Sequence, residues 1–296
     1  MIYELKQKIR YSKWGDATAK WLEKTPVFVP CFVILNWMRF AETPDIVGTS
    51  KEETQRYFAE NQDKITKVIQ NLADETSKKL FLKIINRRES GCFVLKGSPQ
   101  DQYFPKDIIH LSDEEVFVDC GAYTGDTIAK FRETTKDHYK KIIAFEPDAM
   151  CSHKIIEQKI PHCEVLPYGT WDKKDTLTFY ANGKGQSCVE DLAQAREDLK
   201  KQGKKVTINL EKIDNLPACA DMTFLKMDIE GAELNALKGA EQTIRKQRPK
   251  LAICIYHSNQ DMLEIPLWVL SLNMGYKLYV RHHSHYDLAE TVLYAV

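Results

Sequence analysis

The stretch Val116-Phe117-Val118-Asp119-Cys120-Gly121-Ala122-Tyr123-Thr124-Gly125-Asp126-Thr127 carries an apolar strand into a glycine-bearing turn and on into a helix start. Gly121 lets the backbone approach a ligand, and Gly125 permits close packing of helix on strand. The spacing is D-x-G-x-x-x-G rather than G-x-G-x-x-G. A dinucleotide sets its pyrophosphate at such a turn, where the carboxylate of Asp119 would repel it. Asp119 at the strand's end favours a ligand with a cationic part.

Working outward, the next apolar run, Lys141–Phe145, ends in Glu146-Pro147-Asp148. An acidic side chain at the end of the second strand accepts hydrogen bonds from both ribose hydroxyls of a nucleoside. A purely structural alternative makes Glu146 or Asp148 a helix cap, with Pro147 at the first helical position. A nucleoside with an ammonium and a sulfonium satisfies both strand ends, and S-adenosylmethionine is that ligand. The expected cofactor set is Asp119, Gly121, Ala122, Tyr123, Thr124, Gly125, Asp126, Glu146, Pro147 and Asp148.

The same alternation continues through residues 111–296. β-rich runs at Val116–Cys120, Lys141–Phe145, Cys163–Pro167, Thr223–Met227, Leu251–Tyr256, Tyr276–Arg281 and Thr291–Ala295 are separated by helical patterns near 126–135, 148–159, 232–247 and 261–273. This predicts an open, mostly parallel α/β sheet with helices on both faces. Leu177–Tyr180 and Val206–Leu210 are surplus and predict an extra strand pair or flap after the third strand. Residues 1–110 read as a helical N-terminal region. Ser50-Lys51-Glu52-Glu53 fits a capping box, followed by Tyr57, Phe58, Ile65, Val68, Ile69 and Leu72 at helical spacing. Asp74 caps a second helix carrying Leu80, Phe81, Ile84 and Ile85. Trp14, Trp21 and Trp37 are expected in the core or at caps.

Composition sets outer bounds. Lys and Arg total 42 and Asp and Glu total 42, so a chain built to coat nucleic acid is not expected. The most apolar stretch, Val27 to Met38, is interrupted by Pro30 and Asn36 and falls short of the ~20 residues of a spanning helix. No apolar signal region follows the N-terminus. The 8 cysteines are dispersed without C-x-x-C or zinc-ligand spacing, which fits a reducing cytoplasm.

Two further segments complete a family pattern. One is Lys226-Met227-Asp228-Ile229-Glu230-Gly231-Ala232-Glu233, followed by Leu237-Lys238-Gly239-Ala240; the other is Pro249-Lys250-Leu251-Ala252-Ile253-Cys254-Ile255-Tyr256-His257. With the Asp119–Thr127 turn and Phe145-Glu146-Pro147, they make residues 111–296 resemble the FkbM-type family of S-adenosylmethionine-dependent methyltransferases. The resemblance implies a class I, Rossmann-like fold of seven strands with the last one antiparallel. It also implies methyl transfer, mostly to hydroxyls of sugars, glycans or secondary metabolites. The chain departs from the pattern at Leu166-Pro167-Tyr168-Gly169-Thr170-Trp171, where many relatives carry an Asn, so no adenine contact is carried over.

In an open α/β sheet ligands bind beyond the carboxyl ends of the strands. Asp228 ends the fourth main strand and His257 the fifth, so the two are expected to meet above the reacting methyl, with Glu230 nearby. A carboxylate or imidazole there takes the proton of an attacking hydroxyl. Structural alternatives stand beside this: Asp228 as a helix cap, Glu230 and Glu233 complementing a helix dipole, His257 closing a strand. Asp228, Glu230 and His257 also suit a divalent ion, but the spacing is not diagnostic, and proton transfer without a metal is the reading taken. Arg281, His282, His283 and His285 follow the sixth strand and suit an anionic acceptor, or else form an exposed polar turn. Tyr103 is a candidate lid over the cofactor and Ser187 a candidate acceptor contact. A small-molecule or glycan hydroxyl is the expected partner. A methylated nitrogen, or a fold kept only as an interaction module, are the alternatives.

Overall fold

The structure, a computed structural model, describes residues 49–91, 95–181, 187–189, 204–284 and 288–296. All belong to the compact unit Ile46–Val296. Trp14, Trp21 and Trp37 lie outside the described residues, as does His285.

The Val116–Cys120 run forms an interior strand of the main sheet, between the strands at Phe224–Met227 and Lys141–Phe145. β1 (Val116–Cys120) is buried at all five positions, as an interior strand covered on both faces must be. β2 (Lys141–Phe145) and β3 (Cys163–Leu166) follow on one side of it. β4 (Gly169–Thr170), β5 (Asp175–Ala181), β6 (Ser187–Val189) and β7 (Lys204–Glu211) form a separate sheet in the order β4-β7-β5-β6. β8 (Phe224–Met227), β9 (Lys250–Cys254), β10 (Leu278–His282) and β11 (Thr291–Ala295) complete the main sheet. Its order is β10-β11-β9-β8-β1-β2-β3, and only β11 runs antiparallel to its neighbours. This is the seven-stranded class I arrangement. The two surplus runs pair antiparallel as β5 and β7, with Asp175 opposite Leu210.

Helices cover the sheet where the apolar periodicity places them: α1 (Lys51–Glu60), α2 (Gln62–Asn71), α3 (Glu75–Ser90), α4 (Asp126–Thr135), α5 (Ala149–Glu157), α6 (Glu233–Gly239), α7 (Glu241–Gln247) and α8 (Asn259–Ser271). The capping box is present: Glu53 N donates to Ser50 Oγ at 3.1 Å and Ser50 N to Glu53 Oε2 at 2.8 Å. Asp74 accepts from Ser77 N at 2.6 Å, and α3 ends at Gly91 with φ +72°. Two runs that read as single helices are broken. Asn61 separates α1 from α2 and turns its Nδ2 back to Tyr57 O at 2.8 Å. Ala240 separates α6 from α7.

The core below β1 is aromatic. Phe117 of β1 stacks on Phe131 of α4 at 4.5 Å, and Phe104 meets Phe224 of β8 edge-on at 5.7 Å. Such pairs add ~0.5–1.5 kcal/mol beyond burial. The N-terminal helices close the other side. Ala73 N donates to Leu278 O of β10 at 2.8 Å, and Arg88 of α3 donates to Asn259 Oδ1 at 2.8 Å and to Tyr256 O at 2.7 Å. Through Arg88, α3 grips the chain just beyond the carboxyl end of β9.

One close approach fixes α6 against the connection after β4. A Cβ added at Gly239 would lie 1.9 Å from the carbonyl oxygen of Trp171, a backbone atom that cannot swing aside. Gly239→Ala is therefore expected to destabilise the chain by about 3 kcal/mol, the upper end of ordinary overpacking, read from urea unfolding. An unchanged midpoint would remove this contact from the account.

Candidate functional site

Asp119 and Lys226 stand opposite one another in the parallel register of β1 and β8. Side chains in register on neighbouring strands share a face, and these two meet: Lys226 Nζ lies 2.8 Å from Asp119 Oδ1, with exposures of 2% and 0%. Burial lowers the ammonium's pKa, but the charges of Asp119 and Asp228 outweigh it and hold it above its ordinary value. Lys226 also donates to Gly121 O at 2.9 Å. The cation facing Asp119 is thus the chain's own. The signal for Lys226 was present in the sequence: a lysine inside an otherwise apolar strand must find a buried partner.

The glycine turn is shaped by backbone contact. Gly121 has φ +80°, and a Cβ there would fall 2.0 Å from Asp228 O. The turn between β1 and α4 and the end of β8 are therefore in direct contact, which only glycine permits. Gly121 N and Ala122 N donate to Phe145 O, drawing the turn against β2. Gly125, with φ +87°, precedes the first residue of α4, Asp126. Ala122 is buried, while Tyr123 and Thr124 are half-buried.

Glu146 is brought to this turn. Its Oε2 accepts from Tyr123 N at 2.7 Å and its Oε1 from Asp148 N at 2.9 Å. Burial pushes its carboxyl up to about 7, against the pull of those two amides. Two of the four carboxylate lone pairs remain for a ligand. Asp148 is a helix cap, accepting from Met150 N and Cys151 N at 2.8 and 3.0 Å. Pro147 precedes that cap rather than occupying the first helical position.

The ends of β8 and β9 converge on Asp228. Tyr103 donates its hydroxyl to Asp228 Oδ2 at 2.8 Å, and Tyr256 donates to Oδ1 at 3.0 Å. Burial and the charge of Asp228 push both phenols well above their ordinary range, so they stay donors. Tyr103 is held in the left-handed region at φ +67° and is 7% exposed, so it packs inside with its hydroxyl on Asp228. His257 completes the cluster: Nε2 is 3.4 Å from Asp228 Oδ1 and 3.9 Å from Glu230 Oε2, and Nδ1 is 3.1 Å from Glu233 Oε1. Burial pulls the imidazole's pKa down, but Glu233, Glu230 and Asp228 together push it up to about 10. Burial raises the Asp228 carboxyl, yet the charges of His257 and Lys226 and the two tyrosine hydroxyls hold it below the ordinary value.

Arg281 and His282, expected beyond the sixth main strand, are the last two residues of β10, and only His283 follows it. Arg281 pairs with Asp74 at 2.8 Å and Asp107 at 3.0 Å. His282 is buried with Nδ1 3.0 Å from Thr291 Oγ1. His283 lies 2.8 Å from the Tyr294 hydroxyl, and burial pulls its pKa down to about 4, leaving it neutral. The structure therefore commits Arg281 to carboxylates of the chain itself, and these three residues do not assemble an open anion site. Ser187 lies on β6 of the small sheet, its backbone paired with Ala181. Tyr256 and Lys226 are the members of the site that residue-by-residue reading passed over.

A family model described as the methyltransferase FkbM domain matches residues 119–278. Among solved structures, a methyltransferase FkbM from Methylobacillus flagellatus KT is similar at 26% identity and a TM-score of 0.66, over 81% of this chain and 60% of that one. The chain thus spans less than two thirds of that protein's length. An rRNA methylase from Streptococcus thermophilus (16% identity, 62% of this chain and 87% of that one, TM-score 0.35) is more distant. So is a SAM-dependent methyltransferase from Aquifex aeolicus (13%, 62% and 84%, TM-score 0.34). No curated protein matches.

The ion pair makes a direct prediction. Lys226→Met leaves Asp119 charged and unpaired in the interior, which is expected to cost about 3–5 kcal/mol in urea unfolding. Adding Asp119→Asn removes the stranded charge, so the double variant recovers part of the loss. A double variant as unstable as the sum of the two single ones contradicts the pairing.

Proposed function

The chain belongs to the FkbM methyltransferase family, and from that premise we propose that it uses S-adenosylmethionine to methylate a hydroxyl of a sugar, glycan precursor or related small molecule. The observation that carries the reading is the Asp228 carboxylate, held by two tyrosine hydroxyls where the end of β8 touches the Gly121 turn.

The residues at the turn fit the cofactor on two observations. Glu146 keeps lone pairs for both ribose hydroxyls, and Asp119 Oδ2 is a buried acceptor without a hydrogen-bond donor among the described residues. Bound S-adenosylmethionine supplies a methyl group on a sulfonium. Glu146 would hold the ribose, and Asp119, paired with Lys226, would hold the shape of the turn beneath it. Asp228 accepts the proton of the acceptor hydroxyl. The hydroxyl oxygen becomes strongly acidic as it gains a methyl, so a carboxylate of low basicity suffices. Tyr103 and Tyr256 fix the carboxylate's orientation, and the carboxylates around His257 favour a proton on that ring, which makes Asp228 the better-placed proton acceptor. A positioned base of this kind contributes ~10²–10⁴-fold, with alignment of the two reactants supplying the rest. With Arg281 committed elsewhere and Asp228 and Glu230 at the mouth, a neutral acceptor fits better than an anionic one.

Calorimetric titration with S-adenosylhomocysteine and with NAD tests the reading, which expects the first to bind and the second not; binding of NAD alone overturns it. The pH dependence carries a sign. Ribose hydroxyls donate to the ionised Glu146, so affinity should rise as pH passes upward through about 7. In the free chain the effect runs the other way. Glu146's folded pKa lies above its ordinary 4.5, so its stabilising contribution is full below about 4.5 and lost as pH rises through about 7. Glu146→Gln should flatten the pH dependence of binding and weaken it. A flat profile in the unaltered chain contradicts the assignment of Glu146 to the ribose.

A further inference from the structure

We propose that Asp228, Glu230 and the Nε2 of His257 form a binding site for a divalent cation of the Mn²⁺ type, with Glu233 holding the histidine from behind. The ion's service to the acceptor oxygen rests on the methyl-transfer reading above; the site itself does not.

The arrangement of the imidazole is the starting point. The His257 side chain is 7% exposed, and neither ring nitrogen makes a hydrogen bond of good geometry among the described residues. Yet both nitrogens face carboxylates. Nδ1 faces Glu233, which is fully buried and pinned by accepting from Ile229 N at 2.8 Å. A metal-binding histidine characteristically has one nitrogen held by such a carboxylate, which fixes the ring and presents the other nitrogen as ligand. Nε2 in turn faces Asp228 at 3.4 Å and Glu230 at 3.9 Å.

Distances and access agree with this division of labour. Ligand bonds of about 2.1 Å place neighbouring donor atoms about 3.0–3.4 Å apart. Nε2 and Asp228 Oδ1 already meet that spacing, and Glu230 Oε2, 3.9 Å from Nε2, stands just outside it. Single donor atoms of Asp228, Glu233 and His257 lie within 4.8 Å of one another, so the cluster is compact. Asp228 and Glu230 are 24% and 33% exposed, whereas Glu233 is 0% exposed. An ion at Nε2 would therefore keep open positions on the side where Asp228 and Glu230 meet solvent, available to an acceptor oxygen or water.

Charge and donor type select the ion. Three carboxylates surround one imidazole, and the nearest ammonium, Lys226, is matched by Asp119. A single ring proton leaves that surplus only partly balanced, and a divalent ion balances it further. Two hard carboxylates and one imidazole with open positions suit Mn²⁺ better than a closed tetrahedral zinc site. In this arrangement the cation takes over the positive charge behind Asp228, and Asp228 Oδ2 remains beside Tyr103.

The test uses the whole chain stripped with a chelator and then titrated with MnCl₂ alone, followed by calorimetry and electron paramagnetic resonance. One bound Mn²⁺ per chain is expected, with nitrogen modulation of its spin echo. Glu230→Gln alters a partly exposed side chain, is expected to leave the fold intact, and should weaken binding by at least ~10-fold. His257→Gln should abolish the nitrogen signal, and Glu233→Gln should lower affinity by ~10–100-fold. No saturable binding, or binding unaltered by Glu230→Gln in a chain that melts normally, overturns the site. Calorimetry with S-adenosylhomocysteine on the same preparation separates the two readings. A chain that binds the nucleoside but not Mn²⁺ rejects the cation site alone, and the reverse rejects the cofactor reading alone.

Discussion

The Asp119–Lys226 ion pair is the constraint on which the rest of the site depends. It spans the two central strands, 2.8 Å long and shut off from water. Buried pairs of this kind add little net stability, but breaking one is expensive, so its value lies in holding geometry. From Lys226 a hydrogen bond runs to Gly121 O in the turn after β1. The same ammonium lies 5.2 Å from the centre of the Tyr103 ring, and Tyr103 in turn orients Asp228. One lysine therefore connects the Gly121 turn to the Asp228 carboxylate.

The helices before the sheet belong to this construction. Arg88 of α3 holds the carbonyl of Tyr256, whose hydroxyl holds Asp228. Asn259, which accepts from Arg88, also donates to Thr54 of α1 at 3.0 Å. Two helical elements thus fix the position from which β9 delivers Tyr256 and His257. An extension that packs in this way is part of the site's frame.

Most of the sheet was legible because its strands are short apolar runs that alternate with helical patterns. Val116–Cys120 and Lys141–Phe145 have the boundaries the residues suggest, with Glu146 just beyond the second and Asp119 inside the first, where Lys226 pairs with it. What escaped was pairing across the sequence. Lys226 reads locally as an oddity in a strand, and only the register of β1 and β8 shows that Asp119 is its partner. Arg281 looks like a free cation until α3 and residue 107 fold against β10. His257 reads as a base by residue type, whereas three converging carboxylates, distant in sequence or a helical turn apart, give it the character of a cation. The breaks at Asn61 and Ala240 escaped for a milder reason, since apolar periodicity carries across a single displaced residue.

The proposed position of the cofactor lies between Glu146 and Asp228, with its reacting end over the latter. A crystal structure of the complex with S-adenosylhomocysteine measures this most directly. The expected result has both ribose hydroxyls on Glu146, the sulfur on the Asp228 side, and the Asp119–Lys226 pair intact beneath the turn. A nucleoside bound away from Glu146, or a sulfur directed away from Asp228, would contradict the account.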